Sequence, residues 1–304
     1  MIQVNDILER FRALRDFDGF GHVLLLVDPL SGHVPLENWT PRVQADNQWA
    51  LRDPQVRDVR FPFPRLLLIG EADDALLEES IRIAGAADNV DSVVSVNPAI
   101  CGWLFAHGIT SDVRRHLIAA AQQRNAKYEP VRLRYYDPRV LPYLNQMLEP
   151  EQRQQLLGPV AHWFALDRFG RAVDLQTQPP APYIPSSLSL TADQWASIER
   201  IEAVNRTLAA YSDLTGEPLP VDRETELNIA LERAAMNGMS ALDDAMTFAL
   251  YALSVRPDFD LHPAVAEALK NVRTSRLALV DELSLLPAHV WTELKNVELK
   301  TPPK

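Results

Sequence analysis

One cysteine, Cys101, stands in 304 residues, so no disulfide can form within the chain and its fold does not depend on an oxidising compartment. Glycine is scarce too, at 11 residues. The nearest approach to a phosphate loop is Gly19-Phe20-Gly21, which precedes a strand and lacks the third glycine, so it argues against a dinucleotide site. Positive charge is outnumbered, with 30 Lys and Arg against 41 Asp and Glu and a net charge of −11. That balance argues against a general nucleic-acid binder or a binder of anionic membranes. The longest apolar runs, such as Val23–Val27 and Leu66–Ile69, are far too short to span a bilayer. The opening MIQVNDILERFRAL is amphipathic and charged, unlike a secretion signal, and the expectation is a cytoplasmic protein.

Chemistry-bearing sets are equally thin. None of the seven histidines makes the paired i, i+4 helical pattern of a zinc site, and Cys101 has no second cysteine to join it. Asp16-Phe17-Asp18-Gly19 lacks the later ligands of a calcium loop. The Gly-x-Ser-x-Gly elbow of a serine hydrolase is absent, and Cys101 beside Gly102-Trp103 reads as a buried, inert thiol. A general acid/base pair requires convergent carboxylates, and nothing in the spacing selects one. The expectation is therefore no cofactor, no metal, no catalytic residue and no enzymatic activity. The alternative from another class is a hydrolase with Asp137 acting beside His107 or His116.

What is present suits a globular protein with a sizeable core, since 47% of residues are hydrophobic and 23% charged. Helical spacing over 3–15, apolar runs at His22–Asp28 and Arg65–Ile69, and further strand candidates at Ser92–Val96 and Gly102–Ala106 alternate along the first half. Residues 29–64 read as a long irregular connection. Asp73 or Asp74 is placed to cap a helix over 75–84, and Ser111 to cap one over 112–125. Val131–Tyr136 reads as a strand, with the next helix starting at Asp137-Pro138. Glu149-Pro150-Glu151 opens another helix that Gly158-Pro159 ends, and Ala161–Asp167 and Arg171–Gln176 flank a hairpin tip. Residues 177–189 (TQPPAPYIPSSLS) hold four prolines and no charge, the signature of a semi-rigid linker. Everything after them reads helical, beginning with a capping box of Thr191 and Gln194. The expected fold class is α+β. A mixed α/β lobe with a central sheet, residues 1–180, is joined by the proline-rich linker to an all-helical lobe, residues 188–304.

The densest feature is Val131–Trp163. It packs Arg132, Arg134, Tyr135, Tyr136, Asp137 and Arg139 into eight residues. It also closes a basic island, in which Arg114, Arg115, Arg124, Lys127, Arg132, Arg134 and Arg139 stand against only Glu129 and Asp137. One reading is a solvated helix face with strand-end ion pairs. The other is a docking patch for an acidic partner segment, in which arginine and tyrosine form the hot spot.

Arg134-Tyr135-Tyr136-Asp137-Pro138-Arg139-Val140-Leu141, followed by Leu156-Leu157-Gly158-Pro159-Val160 and Trp163, resembles the signature of the type VI secretion effector chaperones. These proteins are also called adaptors, and were long catalogued only as a domain of unknown function. Pro64-Arg65-Leu66-Leu67-Leu68, Gly102-Trp103-Leu104 and Ser111–Leu117 resemble the family's upstream elements. Ala234–Gly238 and Asp258–Pro263 are similar to its helical half. One departure is visible: the first strand ends Val27-Asp28-Pro29-Leu30 where the family usually has Asp followed by two small residues. The resemblance implies a non-enzymatic protein that binds a toxic effector, through the effector's N-terminal region, and loads it onto the VgrG spike protein. The residues expected to bind a partner are Arg132, Arg134, Tyr136, Asp137, Arg139, Arg114, Arg115 and Trp103. An immunity protein that inhibits a cognate toxin is the nearest alternative.

Overall fold

The computed structural model describes residues 4–16, 19–31, 34–54, 56–58, 60–70, 73–85, 98–167, 170–178, 188–275 and 277–296. They fall into two compact units, Met1–Ala196 and Ser197–Lys304. The first unit is mixed α/β and the second all helical, the α+β arrangement expected from the sequence. The expected strand over 92–96, the hairpin tip at Arg168-Phe169 and residues 179–187 of the proline-rich stretch lie outside the described residues.

Among the described residues the strands are β1 (Val23–Val27), β2 (Gln48–Ala50), β3 (Arg65–Ile69), β4 (Ile100–Ala106), β5 (Gln122–Arg124), β6 (Pro130–Arg132), β7 (Val160–Leu166) and β8 (Ala172–Gln176). Six form one antiparallel sheet in the order β2-β3-β1-β4-β7-β8, and β5 and β6 form a separate hairpin. Strand parity sorts the apolar runs onto two faces. One row carries Leu67, Leu25, Trp103 and Phe164 as register neighbours, and the next carries Leu68, Leu24, Leu104, Trp163 and Leu175. β1 and β4 are buried along their whole length, which is why they read as unbroken apolar runs.

Helix α1 (Val4–Asp16) covers the first face by inserting Phe11 between Trp103, Phe105 and Phe164, with ring centroids 5.5, 5.4 and 4.9 Å away. Between β1 and β3 the chain makes the short helix α2 (Leu36–Trp39) and edge strand β2, in a stretch without apolar periodicity. Helix α3 (Asp74–Ala84) packs Leu76, Leu77 and Ile81 into the same core. Asp73 stands at its N-cap position without a side-chain cap bond, and Asp74 accepts instead from Arg12 (2.9 Å) and Arg15 (2.7 Å). These contacts tie α1 to α3 and draw the Asp74 carboxyl below its usual range, against the opposing effect of its burial.

Helix α4 (Thr110–Ala121) ends four residues before the expected Asn125, because Gln122–Arg124 leave it to pair as β5 with β6. Ile109, and not Ser111, occupies its N-cap position. The expected strand over 131–136 is cut to Pro130–Arg132, since β5 supplies only three residues to pair with. Residues 135–140 then turn, and helix α5 (Leu141–Met147) starts at Leu141 and not at Pro138. Helix α6 (Pro150–Leu157) follows as expected, with Gly158 at its end.

Helix α7 (Ala192–Thr215) opens with the predicted capping box: Thr191 N–H donates to Gln194 Oε1 (2.9 Å), and Gln194 N–H to Thr191 Oγ1 (3.2 Å). The second unit continues with α8 (Glu224–Met236), α9 (Leu242–Ser254), α10 (Pro263–Ser275), α11 (Leu279–Ser284) and α12 (Ala288–Asn296). Phe248 meets Phe259 edge-on at 4.9 Å in its core, and Arg233 clamps the buried Asp260 carboxylate.

Candidate functional site

The signature run folds into a corner built on buried charge. Asp28 closes β1 and is fully buried. Its backbone N–H donates to Ala99 O (2.8 Å), and its carboxylate accepts from Leu30 N–H (3.0 Å) and from Arg134 Nη2 (2.9 Å). Arg134 also donates to Ser31 Oγ. Asp137, likewise buried, accepts from the Arg139 N–H (2.9 Å) and takes that guanidinium in a fork through Nε (3.0 Å) and Nη2 (2.7 Å). Arg134 lies 3.6 Å from Asp137 and so stands between both carboxylates. Two carboxylates facing two guanidiniums leave the corner electrically balanced. Asp28, at 2.9 Å against 3.6 Å for Asp137, is thus the stronger partner of the signature arginine.

The surrounding rings are packing elements. Tyr135 is buried edge-on against Trp163 at 5.8 Å. Tyr136 is buried beside it, accepts from Arg132 Nη2 at 3.3 Å, and has its hydroxyl pushed up to about 12, by burial first and then by the Asp28 charge. Burial pushes the Cys101 thiol well above its ordinary value, and the charges on Asp28 and Asp137 add to this. A thiol so held is no nucleophile. Trp163 sends its indole N–H to Cys101 O (3.1 Å) across Gly102, where φ is +142°. A Cβ there would lie 2.4 Å from both Phe164 O and Trp163 Nε1, so the Gly102-Trp103 pair is dictated by close approach.

The eight residues nominated from the sequence therefore separate. Trp103 is a core residue, 1% exposed, whose indole donates to Ser80 Oγ (2.9 Å). Tyr136 and Asp137 are buried as well, at 2% and 3% exposure, so neither side chain lies on the surface of this unit. Arg134 and Arg139 are about one-third exposed and held by carboxylates. Arg132 lies over the Phe61 ring at 5.5 Å and Arg114 over Trp49 at 5.3 Å, so both are half-buried cation–π partners. Arg115 alone of the eight is mostly exposed, at 65%, with a surface ion pair to Asp112 at 3.2 Å.

Sequence reasoning missed a cleft elsewhere in the first unit, which none of the corner residues lines. About 820 Å³ in volume, it lies among α4, the β5–β6 hairpin, α6 and the start of α7. Arg115 and Arg124 line it with Gln122, Gln123, Tyr128 and Trp195. The available signal was the Asn125–Pro130 stretch, whose turn residues mark a hairpin tip. There Asn125 Oδ1 accepts from the N–H groups of Lys127 and Glu129 (3.0 Å each), and Tyr128 takes φ +63° with its side chain exposed.

His116, also on the cleft wall, packs under Gly158 and shares a 2.8 Å hydrogen bond with Leu156 O. Its burial holds the imidazole pKa below the ordinary value, as burial also does for His22. The unfolded chain then takes up protons before the folded one. Stability is complete above the unfolded value of about 6.5 and falls as pH drops from there towards the folded values. Urea midpoints measured between neutral and mildly acid pH should decline, and His116→Asn should flatten that slope. An unchanged slope in the variant would contradict the assignment.

Fold and site together define a mixed antiparallel α/β unit organised around a signature corner. Residues 25–155 match the family described as Domain of unknown function (DUF4123). No curated protein and no solved structure matches the chain. Among the described residues no helix is long and apolar enough to cross a membrane, and no group of three or more His, Cys, Asp or Glu is placed to hold a metal ion.

Proposed function

We propose that the protein is a non-enzymatic type VI secretion adaptor: it binds a toxic effector in the producing cell and carries it to the VgrG spike. The observation that carries the reading is the family match over 25–155, the segment that contains the Arg134–Leu141 signature. The corner geometry supports it, since the Asp137 carboxylate is spent on Arg139 and Arg134 and not offered to a substrate. Binding of this kind protects an effector segment by mass action, because the adaptor favours the bound conformer over the unfolded one. The two partners are the effector, through its N-terminal region, and the spike.

Deletion of the gene tests this in the producing strain. The expected result is loss of effector from the secreted fraction and of killing of susceptible neighbours, with no self-poisoning and with secretion of spike-independent cargo retained. Self-poisoning on deletion would instead identify an immunity protein. Undiminished delivery would contradict the adaptor reading.

A further inference from the structure

The cleft walled by α4 and the β5–β6 hairpin has a charge unlike the rest of the chain. The protein as a whole carries −11, yet no Asp or Glu lines this cleft among the described residues, whereas Arg115 and Arg124 do. The Arg115 guanidinium is mostly exposed, and its pair with Asp112 is a solvated surface contact of small strength. Arg124 is exposed but fixed, because its Nη1 donates to Tyr128 O at 2.8 Å. The nearby Glu129 carboxylate is engaged by the Asn125 amide (2.9 Å) and is not among the lining residues.

The hairpin tip adds a second feature. A tyrosine at φ +63° sits in the left-handed region, which a residue with a Cβ enters only at a cost. Its side chain is nonetheless 79% exposed, so no burial in this chain offsets that cost. The bonds around Asn125 hold the tip rigid, and a rigid exposed tyrosine beside a fixed arginine is the composition of a binding hot spot. Deeper in the cleft, Trp195 and Leu188 are buried and give an apolar floor. The chain does not supply an acidic occupant from the adjoining stretch, because 177–189 has no charged residue.

We propose that this cleft binds an extended acidic segment of a partner protein, with carboxylates set against Arg115 and Arg124 and an apolar side chain towards Trp195 and Leu188. The inference rests on the adaptor reading and assigns the effector as the source of the segment. Recognition of this type draws on charge-assisted hydrogen bonds, which weaken as salt rises.

A random-peptide library displayed on phage, selected against the full chain, tests it. The expected result is enrichment of peptides rich in Asp and Glu with a neighbouring aliphatic or aromatic residue. A fluorescent peptide of the enriched sequence should bind Arg115→Glu and Arg124→Glu each about tenfold more weakly, the loss of one charge-assisted contact. Tyr128→Gly relieves the left-handed strain, so it should weaken the peptide about tenfold while leaving the melting temperature unchanged or raised. Enriched peptides without an acidic excess, or equal binding to all three variants, would overturn the proposal. Failure of the adaptor reading would show separately, as a parent protein that forms no complex with its effector and spike.

Discussion

Arg134→Ala is expected to cost about 3–5 kcal/mol, because it leaves the Asp28 carboxylate charged, fully buried and without its guanidinium. Asp28→Asn should cost distinctly less. The Arg134 side chain is 36% exposed, so when its partner is neutralised the guanidinium still reaches water. Burial therefore decides the asymmetry: the fully buried member of the pair is the one that cannot be left alone. Combining Asp28→Asn with Arg134→Ala should recover part of the single-arginine loss, since the buried side chain left without its guanidinium is then uncharged. Urea unfolding of the parent, both single variants and the double variant gives the coupling directly. Equal losses in the two single variants, with additive behaviour in the double, would show that the corner holds no coupled buried charge.

The second large effect is expected at Gly102→Ala. The new methyl group would meet a backbone carbonyl, Phe164 O, and the Trp163 indole, both at 2.4 Å. Neither is the free end of a flexible side chain. β4 and β7 are direct ladder partners there, so relief requires the sheet itself to open. At φ +142° the backbone conformation is also one that a residue with a Cβ rarely adopts. Steric overlap and strain act together, and the expected loss is about 4 kcal/mol or more, a large share of the 5–15 kcal/mol that holds an ordinary domain. Gly70→Ala is the control. Nothing lies within 4 Å of a Cβ placed at Gly70, and the expected change there is within about 0.5 kcal/mol. A Gly102→Ala protein as stable as the Gly70→Ala protein would contradict the close-approach account.

The elements legible in the sequence are those whose signal is local. β1 and β3 announced themselves as short apolar runs, and Thr191 with Gln194 marked the start of α7 through a capping box that needs no tertiary partner. Asp28 and Arg134 stand far apart in sequence and meet at 2.9 Å only because β1 ends where the signature turn begins. No spacing rule connects them. The sequence pattern did place arginines, tyrosines and an aspartate together, but exposure is a tertiary property. Tyr136 faces inward because the strand ends at Arg132 and the chain turns, which a run of β-favouring residues does not foretell. The helix expected to begin at Pro138 starts at Leu141 because Asp137 spends its side chain on Arg139 and its carbonyl on the N–H groups of Val140 and Leu141. The cleft was illegible for the same reason, as its walls come from four elements that pattern reading treats one at a time.

Loading of cargo onto a spike is a claim about a complex, and a complex can be isolated. The tagged protein, co-expressed with the products of the genes that flank its own, would be purified and passed over a sizing column with light-scattering detection. The adaptor account predicts one stoichiometric species containing this chain, a spike protein and a large toxin, with the spike–toxin association lost when this chain is omitted. A spike and toxin that associate equally well without it, or a chain that elutes alone beside them, would contradict that account.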